Sequence, residues 1–419
     1  MTMTTFRPTL SFGTVAVDMR LALRNILRQR RRSAIAILAI GFGIIAMMLA
    51  AGYIEWIFWA TREGTIAPQF GHIQVTRPNY HDGGQADPFS FLLPNDSPAL
   101  NRIQQTPGVK LVTARLAFSG LISHGEDTLS FIGEGIDPAK DPSTRYQIIV
   151  DGEKLAVTEP HGLIIGAGLA ANLNVKTGDM VVLLTNTPRK GINAVEGRVR
   201  GLVSTSLKAL DDSIVRVPIG MARELLRTDG SHAWITVLQQ TEMTDDVMKR
   251  LEGETTLRDF EVTPWMKLAD FYNKTVELFS RQIGVVKLII ASIIVLSISN
   301  TMTMTVMERT VEIGTAMALG VRRNRILRMF LLEGALLGTI GGVCGATLGY
   351  LASLLISAIG IPMPPAPGMS RGFTAAIMVT PTIILEALLL AIVTTLVASL
   401  YPAWRASRLV VVDALRHNR

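Results

Sequence analysis

Four stretches of this 419-residue chain carry no charged residue at all: Ser33–Ile54 (22 residues), Leu288–Met307 (20), Gly334–Ser370 (37) and Ala387–Trp404 (18). A helix needs about 20 mostly apolar residues to cross a hydrocarbon core of ~30 Å, and each run supplies them. The third contains Ile361-Pro-Met-Pro-Pro-Ala-Pro-Gly368. Its prolines lack an amide donor and clash with a helical backbone, so that span is expected to end near Gly360. Four spans result. Composition agrees, because 48% hydrophobic and 18% charged residues with a mean hydropathy of +0.35 are too apolar for a soluble domain of this length.

The first run follows an arginine-rich start and reaches the small residues Ala50-Ala51-Gly52, as a cleaved signal would. Its apolar part exceeds the roughly 7–15 residues of a signal. Tyr53, Trp56, Phe58 and Trp59 follow, as an interfacial aromatic belt does. A retained span is expected.

Orientation is read from arginines. Arg20, Arg24, Arg28, Arg30, Arg31 and Arg32 precede the first span; Arg309, Arg322, Arg323, Arg325 and Arg328 lie between the second and third; Arg405, Arg408, Arg416 and Arg419 follow the fourth. Four spans and one large loop put all three clusters on one side, which the positive-inside rule makes cytoplasmic. Both termini are then cytoplasmic and residues 60–282 lie outside. The net charge of +7 belongs to the inner membrane face and calls for no nucleic acid.

The expected fold class is an α-helical membrane protein with four transmembrane helices and a large mixed α/β periplasmic domain inserted between the first and second. The divisions are 1–32, a cytoplasmic amphipathic basic helix; 33–59, the first span; 60–282, the outer domain with helical stalks; 283–307, the second span; 308–328, a cytoplasmic connecting helix. Then come 329–360, the third span; 361–379, a proline-rich outer loop; 380–403, the fourth span; and 404–419, a cytoplasmic tail. The one cysteine, Cys344, is expected to be a buried thiol in the third span. It makes no disulfide, so the outer domain must stand on its own core.

Before the first span, Met19, Ala22, Leu23, Ile26 and Leu27 recur at helical spacing, with Arg20, Arg24, Arg28 and Arg31 on the opposite face. Such a helix fits the inner headgroup layer, with membrane lipids as its partners; a simple topology anchor is compatible with the same pattern. In the outer segment, strands are expected at His72–Thr76, Leu116–Ser123, Thr128–Ile136, Met180–Thr185, Val195–Ser204, Ile214–Pro218, Trp234–Leu238 and Phe260–Val262. Helices are expected from the Ser97-Pro98 cap and at Ala167–Leu173, Gly220–Leu226 and Asp245–Leu251. Trp265–Ile283 is amphipathic and leads into the second span. Helices then join the outer segment to the membrane at both ends, so a displacement on one side can pass to the other.

The tools of an enzyme are missing from the sequence. It has no G-x-x-x-x-G-K-[ST], H-E-x-x-H, C-x-x-C or G-x-S-x-G motif, so the chain is read as non-catalytic and without a cofactor or metal of its own. His72, His81, His124, His161 and His232 match no metal-ligand spacing and are read as surface turn residues.

The informative constellation follows the second span: Met307-Glu-Arg-Thr-Val-Glu-Ile-Gly-Thr-Ala-Met-Ala-Leu-Gly320, then Val321-Arg-Arg-Asn-Arg-Ile-Leu-Arg328. A charged turn at Glu308, Arg309 and Glu312 runs into a small apolar turn, stops at Gly320 and restarts through arginines. A tight helix connection takes about 2–8 residues, so this longer excursion fits a short helix along the inner membrane surface.

These residues resemble the FtsX/MacB-type ABC transporter permeases: Glu308-Arg-Thr-x-Glu-Ile-Gly314, Ala318-Leu-Gly320, Arg322, Ile326-Leu327, Leu331-Leu-Glu-Gly334, Tyr401-Pro-Ala-Trp-Arg-Ala406 and Ala414-Leu-Arg416. Gly162-Leu-Ile-Ile-Gly166, Leu169-Ala170, Lys176-Thr-Gly-Asp179 and Gly133-x-Gly-Ile-Asp-Pro138 are similar to the lipoprotein-releasing Lol-type branch. Val411, where the family often has proline, and the length of the Ile361–Gly368 loop depart from the pattern.

The resemblance implies a mechanotransmitting permease of the bacterial inner membrane, working with two copies of a separate ABC ATPase that bind ATP and magnesium, a second permease copy or paralogue, and a periplasmic carrier. It extracts a lipoprotein or other amphipathic substrate; the alternatives are an FtsX-like regulator of a cell-wall hydrolase and a MacB-like efflux of an amphiphile. ATPase coupling falls to Glu308, Arg309, Glu312, Gly314, Gly320, Arg322 and Arg323, with the glycines allowing close packing. Glu333 is expected near the inner interface, paired with Arg328 or Arg405 or snorkelling to water, and Glu386 near the outer end of the fourth span as a structural residue. An apolar substrate cavity would draw on Phe42, Met47, Met48, Ile294 and Met302, flexible methionine suiting variable acyl chains; lipid-facing or helix-packing roles are the plain reading of the same residues.

Overall fold

The computed structural model describes residues 12–84, 87–189, 191–205, 208–365 and 372–411, with side chains from Asp18 onward. The tail motif Ala414-Leu-Arg416, Arg419 and part of the proline-rich segment lie outside the described residues. Contacts divide the chain into two compact units: one of residues to Ile57 with Val276–Ile361 and Thr374 onward, the other of Phe58–Thr275 with Pro362–Phe373.

The first unit is helical: α1 (Phe12–Arg28), α2 (Arg30–Thr65), α3 (Asp270–Glu308), α4 (Thr310–Ala318), α5 (Arg323–Ile359) and α6 (Pro381–Ser407). Four of these are long and apolar enough to cross a membrane: α2, which continues as a π turn to Phe70, and α3, α5 and α6. At 1.5 Å per residue, α2 with 36 residues and α3 with 39 are about 54 and 58 Å long, well beyond ~30 Å of hydrocarbon. The chain crossings at Ile57–Phe58 and Thr275–Val276 fall inside these two helices, and two more bound the Pro362–Phe373 segment. The amphipathic helix expected from Trp265 is interrupted: Trp265–Leu268 makes one turn, Ala269 leaves helical geometry (φ −92°, ψ 58°), and α3 begins at Asp270. In the proline-rich segment Ile361–Met363 pairs with Phe373–Ala375 in a small two-stranded sheet.

Within this unit α5 packs against α6 on one side and α2 on the other, and glycine permits both approaches. A methyl group on Gly338 would collide with Thr395 Oγ1 of α6, and one on Gly345 would stand 2.8 Å from the Gly41 carbonyl of α2. Small residues substitute here for the hydrophobic effect, which does not drive helices together in lipid. Cys344, expected to be buried, faces outward from α5, because its glycine neighbours take the packed positions. Thr380 caps α6, its side chain accepting from the Ile383 amide.

The second unit holds a ten-stranded mixed sheet of β1 (Ile73–Thr76), β2 (Val109–His124), β3 (Asp127–Ile136), β4 (Ile148–Gly152), β5 (Gly162–Gly166), β6 (Met180–Asn186), β7 (Ile192–Ser204), β8 (Ile214–Pro218), β9 (Ala233–Leu238) and β10 (Glu261–Pro264). The order is β10-β1-β9-β2-β3-β8-β5-β7-β4, with β6 on β2 and β7. The β3–β8 and β5–β7 pairs are parallel. The 16-residue β2 serves two groups: Val109–Arg115 pairs with β9, and Leu116–His124 with β3. One core lies on each side of that handover. Ile73, Val75, Ile103, Trp234, Val247 and Leu251 form the smaller; Phe118, Phe131, Leu163, Ile165, Val217 and Leu225 belong to the larger.

The expected Ser97 cap is present, its hydroxyl accepting from the Ala99 amide. Strand β5, buried at all five positions, is an addition to the expected strands. Edge strand β4 is a further addition. Two histidines read as surface residues are interior. His72 is 8% exposed and His232 1%. Each is held neutral by its bonds: His72 Nδ1 accepts from the Leu238 amide (3.2 Å), leaving Nε2 to donate to Thr241 Oγ1 (3.1 Å), and His232 Nδ1 accepts from Ala117 while Nε2 donates to the Pro88 carbonyl. Burial lowers the pKa of both, His72 to about 4 with a contribution from nearby Arg62.

Candidate functional site

The segment between α3 and α5 is built by two local devices. Arg309 departs from helical geometry (φ −99°, ψ 11°) and ends α3. Helix α4 then stops in a Schellman motif: the Val321 amide bonds the Ala316 carbonyl at 3.1 Å, the Gly320 amide bonds that of Met317 at 3.0 Å, and Gly320 sits at φ +92°. A side chain at Gly320 would meet nothing of this chain within 4 Å, so the backbone angle, and not close packing, demands glycine there. Gly314 is buried beside Ile313 on α4. Beyond the stop, Leu319 is 81% exposed, and Arg322 and Arg323 are exposed where α5 begins.

Glu308, Arg309 and Glu312 do not stand free. Both carboxylate oxygens of Glu308 accept from the guanidinium of Arg32, in the first turn of α2. Glu312 meets Arg28 of α1 at 3.1 Å and Arg309 at 3.2 Å. Arg309 is turned inward, its side chain 14% exposed. It reaches Glu333 at 3.7 Å and lies 6.0 Å from the Phe330 ring centroid. The expected pairing of Glu333 with Arg328 or Arg405 is thus replaced by Arg309, which the bend after α3 folds back against the inward face of α5. Arg328 is taken by Asp18 (3.4 Å), which also holds Arg325 at 3.0 Å. Further along, Glu386 pairs with Lys287 at 2.6 Å.

Asn25, Arg28 and Gln29 of the α1 end face Glu308, Arg309 and Glu312 across a polar pocket of about 160 Å³. Sequence reasoning missed this side of the site. One signal was available, since Asp18 is the sole acid before Glu55. An isolated acid in a basic amphipathic helix needs a partner when buried, and Asp18 is 2% exposed. Chemically the arrangement fastens three segments by matched charges; among the described residues no cluster of metal-ligating side chains occurs.

Of the residues expected to line a substrate cavity, Met47, Met48, Ile294 and Met302 are buried in one helix-packing cluster with Ile40, Ile44 and Ile298. Phe42 is 76% exposed on α2.

The family model for the FtsX-like permease C-terminal region matches residues 284–411, and that for the MacB-like periplasmic core domain matches residues 33–254, over half of the chain. The chain is 28% identical over 226 residues to an uncharacterized ABC transporter permease of Methanocaldococcus jannaschii, covering 50% of this chain and 53% of that one. It is 34% identical over 150 residues to the macrolide export ATP-binding/permease protein MacB of Escherichia coli O157:H7, covering 36% of this chain and 21% of MacB. With the lipoprotein-releasing system transmembrane protein LolC of Xylella fastidiosa (strain 9a5c) it shares 22% identity over 323 residues, 71% of this chain and 72% of LolC. The chain thus spans about half the length of the archaeal relative and about a fifth of MacB. Four membrane helices, a mixed α/β periplasmic-type domain between the first two, and both family matches place this chain in the family of ABC transporter permeases of the FtsX-like and MacB-like type.

Proposed function

We propose that this chain is the non-catalytic permease subunit of a transporter whose ATP and magnesium are bound by a separate ABC ATPase, present in two copies beside two permeases, identical or paralogous. The observation that carries this reading is the Schellman-stopped helix α4, which leaves Leu319, Arg322 and Arg323 exposed between two spans. An apolar knob flanked by cations fits a groove with an acidic rim. Helical chain crossings at both ends of the second unit support the transfer of motion from that contact to the periplasmic domain.

In this reading the chain resides in a bacterial inner membrane with both termini cytoplasmic. Its substrate is a lipoprotein or another lipid-anchored amphiphile, passed to a periplasmic carrier. The breadth of the likeness to LolC, which runs through both units, favours that cargo. Met47, Met48, Ile294 and Met302 would form its apolar path when the packed helices part, thioether chains readily changing shape.

A second reading, export of a free amphiphile, is favoured by the higher identity to MacB over a shorter stretch. The test is depletion of the chain from its native cell. Retention of lipoproteins in the inner membrane supports the first reading. Normal lipoprotein sorting with heightened sensitivity to an amphiphile supports the second, and a division or chaining defect alone would point to regulation of a cell-wall hydrolase. Purification of the chain from its membrane without any associated ATPase would overturn the shared premise.

A further inference from the structure

Helix α1 presents three faces. Asp18, Ala22 and Ile26 turn inward, at 2%, 0% and 5% exposure, and Asp18 ties the helix to Arg325 and Arg328 of α5. Met19, Leu23 and Leu27, spaced four residues apart on one face, are 39%, 43% and 58% exposed. Beside them Arg20, Arg24 and Arg28 form a second exposed stripe at the same spacing. The apolar face expected from the sequence is therefore split: Ala22 and Ile26 pack on the protein, while Met19, Leu23 and Leu27 remain uncovered; Leu21, 41% exposed, lies beyond the arginine stripe.

The neighbourhood says what covers them. Gln29 alone separates α1 from α2, whose uncharged run starts at Ser33, so the C-terminal end of α1, with Leu27 and Arg28, is held within about two helical turns of the hydrocarbon edge. An apolar stripe next to a guanidinium stripe at that depth matches an anionic lipid surface: the side chains enter the acyl boundary and the guanidiniums meet phosphate. An acidic protein would satisfy the arginines and leave Met19, Leu23 and Leu27 in water. Arg28 stands at the junction. Its side chain is 73% exposed, yet it holds Glu312 of α4 at 3.1 Å.

We propose that α1 binds anionic phospholipid headgroups of the adjoining leaflet through Arg20, Arg24 and Arg28, and that headgroup phosphate competes with Glu312 for Arg28. When phosphate takes Arg28, Glu312 keeps only Arg309, and the tie between α1 and α4 loosens while Asp18 still anchors α1 to α5. Leaflet charge thereby sets how firmly α4 is held. The bearing on turnover rests on α4 being the ATPase contact; the lipid binding and the tie do not.

The test uses the full chain and needs no ATPase. Purified in mild detergent from its membrane, the protein is assayed by mass spectrometry for retained phospholipid. The expected result is a several-fold loss of anionic lipid in R20Q/R24Q/R28Q, with zwitterionic lipid unchanged and R322Q/R323Q retaining the wild-type amount. Equal retention in the α1 variant, or equal loss in R322Q/R323Q, overturns the site. In a second arm the native arginines stay, and spin labels are placed at Leu21→Cys and Thr315→Cys in a Cys344→Ser background. The label-to-label distance distribution is expected to broaden in nanodiscs containing phosphatidylglycerol relative to phosphatidylcholine alone, and to stay narrow when inorganic phosphate is added instead. An unchanged distribution with phosphatidylglycerol overturns the competition, and broadening by inorganic phosphate overturns the lipid as its source.

Discussion

Arg115 clasps the fully buried carboxylate of Asp141 with two nitrogens, Nε to Oδ2 at 3.2 Å and Nη2 to Oδ1 at 2.9 Å. Its remaining amino group donates to the Gln69 carbonyl, in the π turn that ends the first long helix. Asp141 also accepts from the Ser143 amide at 2.9 Å. Arg115 is the residue at which β2 passes from its β9 partner to its β3 partner. One side chain therefore joins the entry of the second unit to the middle of its sheet. Within the same unit Ile66 and Phe70 pack with Trp265, Ala269 and Tyr272, where the chain turns into α3.

Removing one partner of a buried ion pair leaves an uncompensated charge, at a cost of about 3–5 kcal/mol. Asp141→Asn is therefore expected to lower the melting temperature of the second unit by about 10 °C, at ~2–4 °C per kcal/mol for a domain of this size. Thermal unfolding followed by the fluorescence of buried Trp234 checks it. An unshifted transition would mean that the clasp does not support the fold.

Acidification is expected to weaken the same unit through His72. Burial and the nearby Arg62 hold its folded pKa at about 4, below the ~6.5 of an unfolded chain. The unfolded state therefore takes up the proton first as pH falls. The stability due to neutral His72 is complete above about pH 6.5 and is lost towards pH 4, a change on the order of 3 kcal/mol. His232, also lowered by burial, acts in the same direction. Urea midpoints measured between pH 7 and pH 4 should fall in the wild type and fall less in His72→Gln. Parallel slopes would exclude His72 as the cause.

Charge reversal at the Arg32–Glu308 pair should separate stability from coupling. The two side chains are 32% and 49% exposed, and pairs in such settings contribute about 0–1 kcal/mol. Neither Arg32→Glu nor Glu308→Arg is expected to shift the melting temperature noticeably. Each should reduce ATPase activity coupled to transport several-fold, and the double exchange Arg32→Glu with Glu308→Arg should restore much of it. If the double variant is as impaired as the worse single one, Glu308 acts on the ATPase directly and not through Arg32.

The helical stop at Gly320, the Ser97 cap and the four spans were legible because each is set within neighbouring residues: a backbone angle, a hydroxyl two positions from its amide, a run of apolar side chains longer than a bilayer is thick. Strand β5 was not legible because two of its five residues are glycines, which leaves a run of only three apolar side chains, whereas the equally buried β8 was read. His72 and His232 were misplaced because polarity by itself does not tell a solvated ring from one whose two nitrogens are both satisfied in the interior.

The charged segment divides the same way. Its helix, its stop and its restart through arginines are written in Glu308–Arg323, but which acid meets which base is not. Arg32 and Glu308 lie 276 positions apart, and nothing local selects Arg309 over Arg328 for Glu333 or sends Asp18 to α5. Hydropathy and backbone angles act over neighbouring residues, so the four apolar runs and the stop at Gly320 could be read from the chain alone, whereas the break at Ala269 could not. The tertiary structure alone decided the partners of the charges, because an ion pair depends on distance in space, and that distance exists only once α1, α4 and α5 have packed.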